Sequence, residues 1–404
     1  MPSFFSRLRQ WLCRSVEPDF RSCPVIRCRR DEISLQSCSN VLLRVKTPEA
    51  DGYFCESRLH LSAELYLRSM IEDYYALLFE GSDAERDADR RLVLTSLEKP
   101  ENRKRFFNQG ENRIGSSSPC ARFIATGDAS LVGLDSAGAD EACIARLKRF
   151  VRDYAWCQLT AYGVHRFTRK GRYQSLVTNR PVAVYALAKA MGAQGLFAPC
   201  AYVRLEIEGF RPLFGVFTER AAGVNCMELS RAQRAEAPLP ALQRDLNSLH
   251  VVDVISCEKD HSPNNYHVLL HQEGPASICV FDNNGISLFP LKRSPVFRSY
   301  KDCGPLMNRK GELTLPYLSR PLAEGLLRLS LPTLVGSLRG KLRLLQILFA
   351  WLRLRQLQKA IRRSRGRGLR LLEDGDWSPD TVAAELALGQ KTYLRSFLTD
   401  CCRE

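Results

Sequence analysis

Apolar positions recur at two different periods along the chain. Leu61, Leu65, Leu67, Met70, Ile71, Tyr74, Leu77 and Leu78 form a stripe at helical spacing, which predicts a helix over residues 58–80. Similar patterns predict helices over 141–162, 179–191, 230–250, 318–329 and 342–361. The helix at 179–191 carries Pro181 in its first turn and Gly192 just past its end, both suited to those positions. Strands are expected at 121–126 and 129–134, and at 201–206 and 213–218 about a Glu208-Gly209 turn. Residues 81–91 read as a charged break and 99–119 as a polar loop. Near the start, Phe4, Phe5, Leu8, Trp11 and Leu12 alternate with arginines, as in a short amphipathic helix that packs at a domain edge or lies on a membrane surface.

The most informative stretch is 251–290. A first apolar run, read as strand-like, ends in Asp260, His261, Asn264 and Asn265. A second, from Ser277 to Phe281, ends in Asp282-Asn283-Asn284-Gly285. Each run delivers a carboxylate at a turn. Phosphoryl transfer from a magnesium nucleotide needs this supply: one Asp for the acceptor hydroxyl, an Asn and a second Asp for the metal. A β-hairpin with polar turns gives the same composition, since Asn and Asp are ordinary turn residues.

The spacing resembles the phosphatidylinositol 3/4-kinase-like branch of the kinase fold. That branch includes type II phosphatidylinositol 4-kinases, HipA-type serine kinases and the four-jointed and related secretory-pathway kinases. Their pattern is roughly D-x-[LI]-I-x-x-x-D-R-x-x-x-N-[WFY], then an apolar strand and D-N-G. Asp253, Asp260, Asn265, Tyr266 and Asp282 match it in order, while His261 stands where Arg is usual and Gly285 falls one place late. The resemblance implies an α+β, two-lobed protein-kinase-like fold with a mainly helical C-terminal lobe. It implies ATP and Mg²⁺ as cofactors, Asp260 as the catalytic group, Asp253 as a brace for its loop, and Asn265 and Asp282 as metal ligands. It also implies a hinge from Phe217 to Gly223, including Glu219, whose backbone meets the adenine ring. Gly115-Ser116-Ser117-Ser118 resembles a phosphate-covering loop and equally a plain flexible one. The strand after it, SLVGLDS, has no Lys to pair with phosphates, so Lys170 in the basic run 165–173 is the candidate. The usual helix Glu is not evident near Asn179, Arg180 and Pro181. The implied organisation is a helical extension over 1–109, a small lobe over 110–224, a large lobe with a basic helix over 225–371, and a helical tail over 372–404.

Composition adds limits. A chain of 404 residues with 45% hydrophobic and 25% charged residues is ordinary for a globular protein. Eleven of the net fifteen positive charges lie between Arg339 and Arg370, a stretch with no acidic residue. The basic character is therefore local, and suits a core helix with an Arg-rich face, an anionic membrane surface or, less well, nucleic acid. The arginines interrupt the apolar run too often for a bilayer span. Lys292, Arg293, Arg298 and Lys301 suit an acceptor-docking loop or a solvated one. Fifteen cysteines follow no regular framework, and the arginines near the start interrupt any signal-peptide core, so a reduced, cytoplasmic setting is expected. Peripheral membrane attachment or delivery into a host cell is compatible with it. The spacings of Cys23 and Cys28, and of Cys257 with His250, His261, His267 and His271, match no closed zinc pattern. Cys401-Cys402 is not a prenylation box. Three functions follow as expectations: a kinase, with a protein hydroxyl as acceptor ahead of a lipid; a degenerate pseudokinase or nucleotide-binding module; and a basic membrane- or nucleic-acid-binding scaffold.

Overall fold

The computed structural model describes residues 20–37, 41–57, 63–108, 118–155, 179–257, 261, 263–270, 276–281, 306–308 and 310–400. The fold class is α+β. The chain divides into two compact units, one of residues 20–176 and 202–217, the other of 1–19, 177–201 and 218–404.

The first unit holds a six-stranded sheet. Its strands are β1 (Val25–Cys28), β2 (Ile33–Ser37), β3 (Val41–Lys46), β4 (Asp51–Glu56), β5 (Cys200–Ile207) and β6 (Leu213–Glu219), in the order β1-β5-β6-β4-β3-β2. β2, β3 and β4 form an antiparallel meander, and β1 runs parallel to β5 with Val25 opposite Arg204. Alternation in the strands puts Val45, Phe54, Val203, Leu205, Ile207, Leu213 and Phe217 into one core.

Helices follow β4: α1 (Ala63–Asp73), α2 (Asp83–Glu98), α3 (Pro100–Asn108), α4 (Pro119–Thr126) and α5 (Glu141–Arg149). α1 and α5 each continue into a π-helical turn, at Tyr74–Leu78 and Phe150–Ala155. Those turns aim rings inward: Phe150 lies 4.8 Å from Tyr74, 5.7 Å from Tyr75 and 6.3 Å from Phe106, centroid to centroid. Asp89, buried on α2, is held by Arg146 of α5 at 2.6 Å.

Several expectations are corrected here. Residues 1–109 are not a purely helical extension, because β1 to β4 lie within them; their alternation is short and broken by charged residues and cysteine. The charged break at 81–91 is the start of α2, whose Ser82 and Glu85 form a reciprocal capping box. Residues 100–108, expected as loop, are α3. The strands expected at 121–126 and 129–134 are α4 and a 3₁₀ turn, Ala129–Val132. Ser118 caps α4 by accepting from the Ala121 N–H at 3.1 Å, and Pro119 fits its first turn. Ser118 is thus a helix cap, while 115–117 lie outside the described residues.

The second unit contains α6 (Asn179–Met191), β7 (Val224–Asn225), α7 (Arg231–Glu236), α8 (Leu239–Ser256), β8 (Tyr266–Val268), β9 (Ile278–Val280), β10 (Tyr317–Ser319), α9 (Arg320–Arg328), α10 (Leu331–Leu338), α11 (Leu344–Ser364), β11 (Arg370–Leu372), α12 (Pro379–Ala387) and α13 (Tyr393–Asp400). Its axis is α8. Fourteen of its eighteen residues are buried, because α6, α11, α12, α13 and β10 surround it. The apolar run at 251–256, expected as strand, is the last turns of this helix; an element apolar on all sides loses the periodicity that separates helix from strand.

In the first unit, Phe150→Ala removes the ring on which the two π-turns meet. The expected loss is about 3–5 kcal/mol of unfolding free energy, read as a lower urea midpoint with the far-ultraviolet dichroism of the folded state retained.

Candidate active site at the end of the central helix

α8 ends at Cys257, a non-glycine residue in the left-handed region (φ 58°) whose N–H bonds back to the Asp253 carbonyl. Such a residue turns the chain sharply out of the helix. Arg353 of α11 supports the same end, its Nε donating to the Ile255 carbonyl at 2.8 Å, where a cation complements the helix dipole.

Asp253 lies one turn before this exit with its side chain wholly buried. His261 Nδ1 sits 2.7 Å from Oδ1, and Tyr393 of α13 donates its hydroxyl to Oδ2 at 2.6 Å. Desolvation pushes the Asp253 carboxyl up, and the His261 and Tyr393 contacts pull against it. Burying a carboxylate without partners costs several kcal/mol, so this arrangement ties three segments of chain to one point. His261 lies five positions past the last residue of the helix, and its ring is anchored there by Asp253.

The chain next makes a 3₁₀ turn, Pro263–Asn265, and enters β8. β8 pairs antiparallel with β9, Tyr266 opposite Val280 and His267 opposite Cys279. The ladder closes with the Phe281 N–H donating to the Asn265 carbonyl at 3.2 Å. Asn265 thus sits at the end of a hairpin beside the residue that precedes Asp282 in sequence. A second carboxylate of α8, Asp245, clamps the same hairpin by accepting from Ser277 N at 2.6 Å and Ser277 Oγ at 2.8 Å.

On its other edge β8 pairs with β7, Asn225 opposite His267. Asn225 donates from Nδ2 to the Asn264 carbonyl at 2.9 Å. Gly223, at φ 89°, lies so close that a Cβ there would meet the Val268 carbonyl at 2.4 Å. Segment 220–225 therefore lies flat against β8. His267 Nδ1 is 3.2 Å from the Ala221 carbonyl, and its ring meets Phe281 edge-on at 4.9 Å. Burial pushes the His267 pKa down and the neighbouring Cys279 thiol up.

Of the residues singled out from sequence, Asp253 and Asn265 lie on this helix exit and the turn that follows it. Asp260, Asp282 and Lys170 lie outside the described residues. Phe217 is packed in the sheet core of the first unit, and the Glu219 N–H is bonded to the Pro199 carbonyl at 2.9 Å. Both are thus engaged within the fold. Among the described residues no group of three or more His, Cys, Asp or Glu is placed to hold a metal ion. Tyr393, Arg353 and the Asp245 clamp had no local signal in sequence, because their partners are remote; Tyr393 is 140 positions from Asp253.

His250, one turn before Asp253 on α8, is buried against the Tyr393 ring at 4.9 Å. Neither ring nitrogen has a hydrogen-bond partner among the described residues. Desolvation lowers its pKa from 6.5 to about 4. The unfolded chain thus binds a proton that the folded chain refuses, and stability falls as pH drops through that window. Denaturant unfolding should show a loss of about 3 kcal/mol between these limits from this one group, absent in His250→Leu.

No protein-family model matches the chain, and no curated protein matches it.

Proposed function

We propose that the chain is an ATP- and Mg²⁺-dependent phosphotransferase of two-lobed, kinase-like architecture that acts on a protein hydroxyl. The observation that carries this reading is the bond from Phe281 N–H to the Asn265 carbonyl. It joins Asn265, the residue before strand β8, to Phe281, the residue that precedes Asp282 in sequence. Amide and carboxylate oxygens suit a hard divalent cation that also takes phosphate oxygens.

In this reading Asp260 accepts the proton of the acceptor hydroxyl. His261, fixed by Asp253, holds the loop that carries Asp260, and so supplies the support given by Arg in the resembling families. Asn265 and Asp282 hold the metal, which when bound neutralises charge on the transferring phosphoryl group. Segment 220–223, flat against β8, offers backbone groups to the base. Lys170 is the proposed phosphate partner. The brace matters because phosphoryl transfer is mostly positioning and electrostatic stabilisation.

A second reading, a nucleotide-binding module without turnover, draws on α6. That helix contains no carboxylate, and its Asn179 and Arg180 are buried. It could not supply the Glu that pairs with a phosphate-binding Lys in active kinases.

ADP release and phosphate incorporation into a protein mixture, measured for the wild type and Asp260→Asn, test the proposal. Loss of about 10²–10⁴-fold in turnover with ATP affinity retained is the expected result. Binding without turnover by the wild type selects the second reading, and neither binding nor turnover removes both.

A further inference from the structure

The basic stretch is built into the second unit in a way that the proposed chemistry does not use. α11 buries Ile347, Ala350, Leu354, Leu357 and Ile361 against the core. Helical geometry puts Leu352, Arg355, Lys359, Arg362 and Arg363 on the opposite face. All five are exposed, and Leu352, at 52%, is among the few large apolar side chains so exposed among the described residues. The first half of this outer stripe is apolar, with Leu345, Leu348 and Phe349 half-buried before Leu352. The second half is cationic.

The charge does not stop at the helix end. Residues 365–369 form a tight turn, with Arg367 N–H and Leu369 N–H both bonded to the Ser364 carbonyl at 2.9 and 3.2 Å. Leu369 is buried, while Arg365 and Arg367 point outward as exposed residues. The arginines thus stand on an ordered platform. Arg367 meets Glu312 at 3.2 Å. Lys359, Arg362, Arg363 and Arg365 meet no carboxylate among the described residues. No described helix is long and apolar enough to cross a membrane.

We propose that this face docks the protein on an anionic phospholipid bilayer. Arg362, Arg363 and Arg365 take the headgroup phosphates and carboxylates, and Leu352 enters the boundary between headgroups and acyl chains. Uncompensated cations beside an exposed apolar residue are what an interfacial helix needs. Nucleic acid fits less well. Single strands are held largely by base stacking on aromatic rings, and the one indole of this face, Trp351, is covered by the Arg355 guanidinium at 5.4 Å. Because Arg353 of the same helix bonds Ile255 at the exit of α8, the docking helix is continuous with the support of the candidate site.

Co-sedimentation of the full chain with phosphatidylcholine vesicles, with and without phosphatidylserine, tests this. Each basic residue near an anionic surface contributes about fivefold to partitioning. The triple change Arg362→Gln, Arg363→Gln, Arg365→Gln should therefore lower partitioning onto phosphatidylserine vesicles about a hundredfold, with the thermal midpoint unchanged. Leu352→Ser should weaken what binding survives in about 1 M salt, where charges are screened beyond about 3 Å. The proposal is overturned if the wild type ignores phosphatidylserine, if the triple variant binds like the wild type, or if an RNA oligonucleotide displaces the protein from the vesicles.

Discussion

A single buried carboxylate organises the exit of the central helix. Asp253 has no contact with solvent, and its two oxygens are divided between His261 and Tyr393. Such a group is stable only while both partners stay in place; removing one partner of a buried charge costs about 3–5 kcal/mol. Asp253 therefore links the central helix to His261 and to α13 at one buried point. The adjacent His250 adds to this demand, since its ring gives up hydration without gaining a hydrogen bond among the described residues.

The same helix acts twice. Two turns before Asp253, Asp245 grips Ser277 and so fixes the far strand of the β8–β9 hairpin. One rigid rod thereby sets both the loop that begins at Cys257 and the hairpin whose end brings Asn265 beside Phe281. Sites built on regular elements with their own supporting hydrogen bonds hold geometry better than sites on free loops. Several other polar residues of α8 do find tertiary partners: Gln243 and Asn247 both donate to Glu385 of α12, and Asp245 accepts from Ser277. That explains why a helix with so many polar positions is nearly all buried.

Part of this was legible in the sequence. Strand β8 lay where the alternation after Asn265 put it, and Asp253 is paired with His261. Helix α6 and strands β5 and β6 lay where period and turn residues put them. The strands at 25–56 were not read, since runs of three to six residues with charged interruptions carry little periodic signal. Ser82 with Glu85 was a helix-start signature in plain view, yet the density of charge around it suggested a break. Tyr393 and Arg353 were illegible for a different reason. Each acts through a contact made only after the chain has folded, and nothing in their own neighbourhoods marks them. At position 261, where the resembling families have Arg, the structure gives His261 a buried carboxylate as partner.

The proposed function turns on Asn265 and Asp282 holding a magnesium nucleotide. Thermal unfolding of the full chain across an ATP titration, with Mg²⁺ and with a chelator, for the wild type and Asp282→Ala, tests it most directly. A ligand bound only by the folded state raises stability with the logarithm of its concentration. The account predicts an ATP-dependent rise in the midpoint that requires Mg²⁺ and disappears in Asp282→Ala. No rise at millimolar ATP, or an equal rise in the variant, would contradict it.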